Sequence, residues 1–199
     1  MMRHMEELIQ EVVIERDTVI GYPAAFRYVA AGRSAAVFFD HVEQKAVKVY
    51  FPSYEHLAEQ EAAIYEQLSN PIYFPQIYEV GDNYLVMEYI EGKTLYDCLV
   101  EGVTITPDMI RRVDDILEYA VSKGLNPSDT HLKNIILTKD GTIKVIDVVR
   151  FTQKEVCEQW PDIKKAYYLY YQKRFFPKKY PRTLIELIIY LYRSNLLPI

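Results

Sequence analysis

Short runs of β-branched and aromatic residues, broken by polar intervals, fill the chain from Ala24 to Phe51. Tyr28-Val29-Ala30, Ala36 to Phe39 and Ala46 to Phe51 carry this pattern, which predicts strands. Pro52-Ser53 then offers a stop and a helix cap, and Leu57, Ile64 and Leu68 recur at helical spacing within Tyr54 to Leu68. Ser69-Asn70-Pro71 ends that helix, and two further strands, Gln76 to Val80 and Asn83 to Ile90, flank a Gly81-Asp82 turn. Ahead of these, Glu6 to Val13 predicts a leading helix with a short connector behind it.

The remainder reads as mainly helical. Thr106-Pro107 has the chemistry of a cap followed by a first-turn proline, and Gly124 is placed to end the helix they start. Between them Ile110, Val113, Leu117, Ala120 and Val121 make one apolar stripe. Asn134 to Leu137 and Thr142 to Val148 predict a hairpin around Lys139-Asp140-Gly141. Tyr167 to Tyr171 and Leu184 to Tyr192 read as closing helices, and there is no internal repeat or low-complexity segment.

A length of 199 residues admits one core or two small lobes, and 50% apolar with 26% charged residues is globular composition. Apolar runs such as Leu187 to Tyr192 fall far short of the roughly 20 residues that cross a bilayer. The charged segment Met1 to Gln10 does not read as a signal peptide. Two cysteines, Cys98 and Cys157, make neither a disulfide framework nor a zinc site, so the expectation is a cytoplasmic protein without membrane contact. From Pro161 onward 8 Lys and Arg face 2 Asp and Glu, a charge of +6 against a total of −5. A basic tail on an acidic body is either a solvated face or a surface for phosphate-rich partners.

Charge inside apolar pattern is the sharper signal. Lys48 lies within Ala46-Val47-Lys48-Val49-Tyr50, and an ammonium there either snorkels to water or has an anionic partner. Glu61 shares the stripe of Leu57, Ile64 and Leu68, so an ion pair between the two is expected. Asp129, His131 and Asn134 form Asp-x-His-x-x-Asn in a loop, and Asp147 ends the apolar strand Lys144-Val145-Ile146. If Asp140-Gly141 is the centre of a two-residue turn, Asn134 lies across from Asp147. One carboxylate and one amide oxygen then converge near a second carboxylate, Asp129, a donor set that suits Mg²⁺ held jointly with phosphates. His131 is read as a hydrogen-bonding brace for this loop.

These residues together resemble a protein-kinase-like fold in its compact microbial form, similar to the RIO and aminoglycoside-phosphotransferase branches. Ala30-x-Gly32-x-x-Ala35-x-Val37 stands where kinases carry Gly-x-Gly-x-x-Gly-x-Val, and Ala46-Val47-Lys48 resembles Val-Ala-Ile-Lys. Glu61 matches the helix glutamate, Met87-Glu88-Tyr89-Ile90 the hinge, Asp129 to Asn134 the catalytic loop, and Ile146-Asp147-Val148-Val149 the Asp-Phe-Gly segment. The match spans Ala30 to Val149, about three fifths of the chain.

The resemblance implies an α+β, bilobal protein-kinase-like fold with a truncated C-terminal lobe. Residues 1–90 would form the N-terminal lobe, with a leading helix, a five-stranded antiparallel sheet and one helix; residues 91–199 would form a small, mainly helical lobe carrying the catalytic hairpin. It implies ATP and Mg²⁺ as cofactors. The loop around Gly32 would cover the phosphates and Lys48, held by Glu61, would neutralise them; Val37, Ala46, Met87, Glu88 and Ile90 would frame the adenine. Asp147 and Asn134 would hold Mg²⁺, and Asp129 would orient the attacking hydroxyl and take its proton.

Departures from the pattern accompany it. Ala30 and Ala35 replace loop glycines, Pro127-Ser128 precedes Asp129 where kinases have His-Arg, and Val149 replaces a glycine. Only 52 residues follow Asp147, too few for a standard activation segment and helical subdomain. Three activities are therefore weighed: phosphoryl transfer from ATP to a protein Ser/Thr hydroxyl, including the chain's own; a nucleotide-binding pseudokinase or scaffold; and a small-molecule phosphotransferase. The stretch from Lys173 to Arg182, five cations interleaved with aromatics, could contact RNA or DNA, as compact kinases of the RIO and KEOPS types work beside RNA.

Overall fold

A computed structural model describes residues 4–194 and 196. The chain divides into two compact units, one up to Ile90 and one from Glu91.

Unit 1 opens with α1 (Met5–Gln10), β1 (Val13–Glu15) and β2 (Thr18–Gly21). The expected connector after the leading helix is thus an antiparallel hairpin, turned at Arg16 and Asp17, which both have positive φ. β3 (Phe26–Ala31), β4 (Ala35–Asp40), β5 (Lys45–Tyr50), β6 (Ile77–Val80) and β7 (Tyr84–Glu88) make a five-stranded antiparallel sheet in the order β3-β4-β5-β7-β6. Helix α2 (Leu57–Leu68) falls between β5 and β6. Pro52-Ser53 does not cap it: Pro52–Tyr54 form a separate 3-10 turn, and α2 starts behind His56 with no side-chain cap.

The two faces of this sheet differ in chemistry. Ala36, Phe38, Val47, Val49, Tyr84 and Val86 join Met5, Leu8 and Ile9 of α1 in one buried cluster. Because side chains alternate along a strand, the neighbours Val37, Ala46, Lys48, Leu85 and Met87 point to the opposite face. Register brings them side by side: Val37 pairs with Lys48, Ala46 with Met87, and Lys48 with Leu85.

Unit 2 begins with β8 (Gly92–Thr94) and α3 (Leu95–Glu101), followed by α4 (Pro107–Ser122). The Thr106 side chain accepts the Met109 amide at 3.3 Å, Pro107 takes the first turn, and Gly124 adopts φ 81° behind the last one. β9 (Ile135–Thr138) and β10 (Ile143–Val145) form the expected hairpin, and β8 pairs with β9 on its other edge. Gly92 is needed there, since an added Cβ would lie 2.3 Å from the Leu137 carbonyl oxygen. α5 (Gln159–Ala166) runs into a π-helical turn at Tyr167–Tyr171, where the Gln172 amide donates to the Tyr167 carbonyl at 3.1 Å; α6 (Arg182–Arg193) closes the unit. Tyr167 to Tyr171, expected as a helix of its own, is therefore the irregular end of α5.

Candidate active site

On the sheet face away from α1, Lys48 is 7% exposed and Glu61 fully buried. The Lys48 ammonium lies 2.6 Å from Glu61 Oε2. Tyr50, two residues along on the same face, donates its hydroxyl to the same oxygen, and the ammonium stands 5.3 Å from its ring. α2 positions the carboxylate by burying Ala58, Glu61, Ile64, Tyr65 and Leu68 along one side. An ion pair so far from water is costly to assemble, and breaking it by removing one partner strands a buried charge. Val37 is half-buried, while Ala46 and Met87 are buried, in the positions flanking Lys48. The Glu88 amide donates to the Gln76 carbonyl at 2.8 Å, which anchors the end of β7 just before Ile90.

Gly32 sits in the turn joining β3 and β4, at the exposed end of the sheet. Its amide donates to the Ala35 carbonyl at 2.9 Å. This donor closes the turn. The Ser34 carbonyl accepts the Phe51 amide at 2.9 Å, so the turn is tied to the end of β5.

In unit 2 the oxygen donors come from two places. Asp129 and Asp147 both adopt φ 59°, a left-handed backbone tolerated best by Asn and Asp among residues with a side chain. Holding such residues there costs about 1–3 kcal/mol each, and surrounding contacts must offset it. Around Asp129 these are visible: Asn134 Nδ2 donates to its carbonyl at 3.2 Å, and its amide donates to Cys157 Sγ at 3.5 Å. Asn134 is 6% exposed. With Nδ2 committed to Asp129, its Oδ1 is the atom left to face a cation.

The hairpin register corrects one expectation. The loop is three residues, Lys139 to Gly141, with Thr138 amide to Thr142 carbonyl at 3.0 Å and Gly141 at φ 83°. This is a type I turn followed by a left-handed glycine. The shift places Asn134 across from Ile146, whose amide donates to the Asn134 carbonyl at 2.9 Å, and not across from Asp147. Asp147 comes one residue later, carried by its positive φ. Among the described residues no group of three or more His, Cys, Asp or Glu could hold a metal ion. Asp147 and Asn134 offer one carboxylate and one amide, donor types that fit Mg²⁺, an ion that takes one or two protein oxygens and completes its shell with phosphates and water.

His131 departs from the bracing role. Its Nδ1 is buried without a hydrogen-bond partner, and burial holds its imidazole below the usual histidine pKa despite the opposing charges of Asp129 and Asp147. A folded pKa below the unfolded value means that the unfolded chain takes up the proton first, so stability is lost as pH falls below about 6.5. The thermal midpoint of the wild type should therefore drop more between pH 7.5 and 5.5 than that of His131→Gln. Parallel curves for the two would show that the imidazole titrates alike in both states.

Three contributors escape the sequence patterns. Tyr50 completes the Lys48–Glu61 pair. Arg150 Nε lies 3.3 Å from Asp129 Oδ2. Helix α3 supports the loop, with the Tyr96 amide donating to the Leu132 carbonyl at 3.1 Å; Thr94 capping Asp97 at 3.0 Å and Gly102 at φ 83° are end signals that the sequence does carry for it. Lys133 turns elsewhere, to Glu186 at 3.0 Å and over the Tyr96 ring. Within the basic stretch, Lys178 lies 4.0 Å from the Tyr171 ring centroid and Phe176 packs between Tyr170 and Tyr180, while Phe175 is 86% exposed. Among the described residues no helix is long and apolar enough to cross a membrane.

The family model described as ABC1 atypical kinase-like domain matches residues 43–165, which run from the β4–β5 turn through most of α5. Over 169 residues the chain is 48% identical to the Bacillus subtilis (strain 168) protein named "Putative serine/threonine-protein kinase YrzF", covering 84% of this chain and 79% of that one. "Probable serine/threonine-protein kinase CPE1738" of Clostridium perfringens (strain 13 / Type A) is 33% identical over 117 residues, 53% of this chain and 17% of that protein. "Probable serine/threonine-protein kinase SCO3848" of Streptomyces coelicolor is 30% identical over 108 residues, 48% and 16% of the two chains. The shared segment is thus a small part of the last two proteins. The matched span contains Lys48, Glu61, Asp129, Asn134 and Asp147 together. The chain belongs to the ABC1 atypical kinase-like family, within the wider group of protein-kinase-like proteins.

Proposed function

We propose that the chain transfers the terminal phosphoryl group of Mg²⁺-ATP to a Ser/Thr hydroxyl of a protein, its own included. The observation that carries this reading is the buried Lys48–Glu61 pair on the sheet face shared with Val37, Ala46 and Met87. A cation held that rigidly costs little to present to an anion, because its carboxylate partner is already ordered. Lys48 binds and neutralises phosphate oxygens, and Ala46, Val37 and Met87 supply an apolar surface for adenine beside the backbone of Glu88 and Ile90. Asp147 and Asn134 would hold the Mg²⁺, which when bound offsets charge on the phosphates. Asp129 orients the acceptor hydroxyl and takes its proton as the new P–O bond forms and the bond to ADP breaks.

One observation favours a second reading, a nucleotide-holding scaffold with little turnover: the Gly32 amide is engaged by Ala35 and not offered to phosphate. Incubation of the pure protein with Mg²⁺ and γ-labelled ATP separates the two. Label incorporated by wild type and lost in both Lys48→Met and Asp147→Asn supports the kinase; nucleotide-dependent thermal stabilisation with no transfer to itself or to protein acceptors supports the scaffold.

A further inference from the structure

We infer that Arg150 is a built-in arginine of the transfer step, which positions Asp129 and neutralises charge on the phosphoryl group in flight; this rests on the kinase reading above. Arg150 Nε meets Asp129 Oδ2 at 3.3 Å. The two other basic residues of the loop itself are engaged or uncharged. Lys133 is held by Glu186 and Tyr96, and burial keeps the His131 imidazole below its usual pKa, hence neutral at pH 7. Arg150 is the cation that meets the carboxylate proposed as base.

Its backbone is fixed for that purpose. Val148 and Phe151 are fully buried on either side, and the Phe151 amide donates to the Val148 carbonyl at 2.9 Å. The Phe151 carbonyl accepts the Asn126 amide at 2.7 Å, and Asn126 Nδ2 donates to Gln153 and Glu155 carbonyls at 2.9 Å each. The turn after Asp147 is therefore pinned to the segment before Asp129. The Arg150 side chain, three residues after the left-handed Asp147, thus reaches the left-handed Asp129.

The chemistry follows from geometry. Guanidinium has five N–H donors in a flat fork, and the contact with Asp129 uses Nε. The side chain is 41% exposed, which leaves the guanidinium open to a solvent-borne ligand. An acceptor oxygen held by Asp129 must approach the phosphoryl group closely, which brings phosphate oxygens toward a carboxylate. A guanidinium bonded to that carboxylate offsets the repulsion, fixes the oxygen that receives the proton, and can donate to the equatorial phosphoryl oxygens, where charge accumulates in transfer.

Arg150→Ala and Arg150→Lys in the full chain test this by steady-state turnover of Mg²⁺-ATP with phosphate transfer followed in parallel. Arg150→Ala should lower kcat about a hundredfold, with KM for ATP within threefold and an unchanged nucleotide-induced thermal shift. Arg150→Lys should regain part of the loss, since charge returns without the fork. Added to Asp129→Asn, Arg150→Ala should cost little more, because the two act as one unit. A wild-type kcat in Arg150→Ala, a loss confined to KM, or full multiplication of the two losses would overturn the inference while leaving the kinase reading intact. A wild type that binds Mg²⁺-ATP and never turns it over would sink both.

Discussion

Glu61→Ala should lower the stability of the chain by about 3–5 kcal/mol, the range for removing one partner of a buried ion pair. The reason lies in the burial figures: the carboxylate is fully shielded and the Lys48 ammonium is 7% exposed. Alanine deletes the anion that meets Lys48 at 2.6 Å and the acceptor of the Tyr50 hydroxyl. It also opens a void the size of one methylene and a carboxylate beside Leu68 and Ile64, which pack on the same side of α2. Lys48→Met/Glu61→Leu should behave differently. Replacing a buried pair by apolar residues of similar volume is often neutral or stabilising, so this double variant should stay within about 1 kcal/mol of wild type or exceed it. Both variants should lose phosphoryl transfer. Urea titration of the set, read alongside transfer, separates stability from function. A Glu61→Ala variant as stable as wild type would mean that water, and not Lys48, satisfies the carboxylate.

Asp129→Asn should reduce kcat about 10²–10⁴-fold, the range for losing a general base. The substitution is informative because it preserves the backbone. Asn shares with Asp the tolerance for φ near 59°, so the loop conformation and the Asn134 Nδ2 bond to its carbonyl are retained. The thermal midpoint should accordingly move by no more than a degree or two, and Mg²⁺-ATP should still stabilise the variant. Asp129→Val provides the structural contrast. A β-branched residue at positive φ adds about 1–3 kcal/mol of strain, so it should lose stability as well as rate. Turnover at the wild-type rate in Asp129→Asn would remove Asp129 from the proton transfer.

Several features of the site could be read in one dimension because they break a local rule. Lys48 and Glu61 are charges inside apolar patterns, and a buried charge requires a partner wherever it is. Strand β5 and helix α2 each have a clear period, so the inward direction of both side chains follows from alternation and from helical spacing. Asp147 at the end of an apolar strand carries the same signal. Arg150 carries none: it stands in a turn between Val149 and Phe151 with its side chain 41% exposed, where arginine is ordinary, and its meaning lies in a partner twenty-one positions earlier. Tyr50 is similar, since tyrosine in a strand predicts burial but not the hydroxyl's acceptor.

The hairpin register and the short helix α3 show where local reading goes astray. Asp140-Gly141 suits a two-residue turn as well as the three-residue loop that forms, and the choice moves Asn134 by one position relative to its partner strand. α3 has caps at both ends but only seven residues, too few for a period to stand out.

By itself, then, the sequence determined the types and order of most elements and the inward cation and carboxylate of unit 1, since each depends on burial periodicity or on a residue placed against its surroundings. Tertiary structure decided the hairpin register, the left-handed conformations that carry Asp129 and Asp147, and the attachment of Arg150 to Asp129. Those depend on contacts between residues distant in the chain, whose energies no local pattern contains.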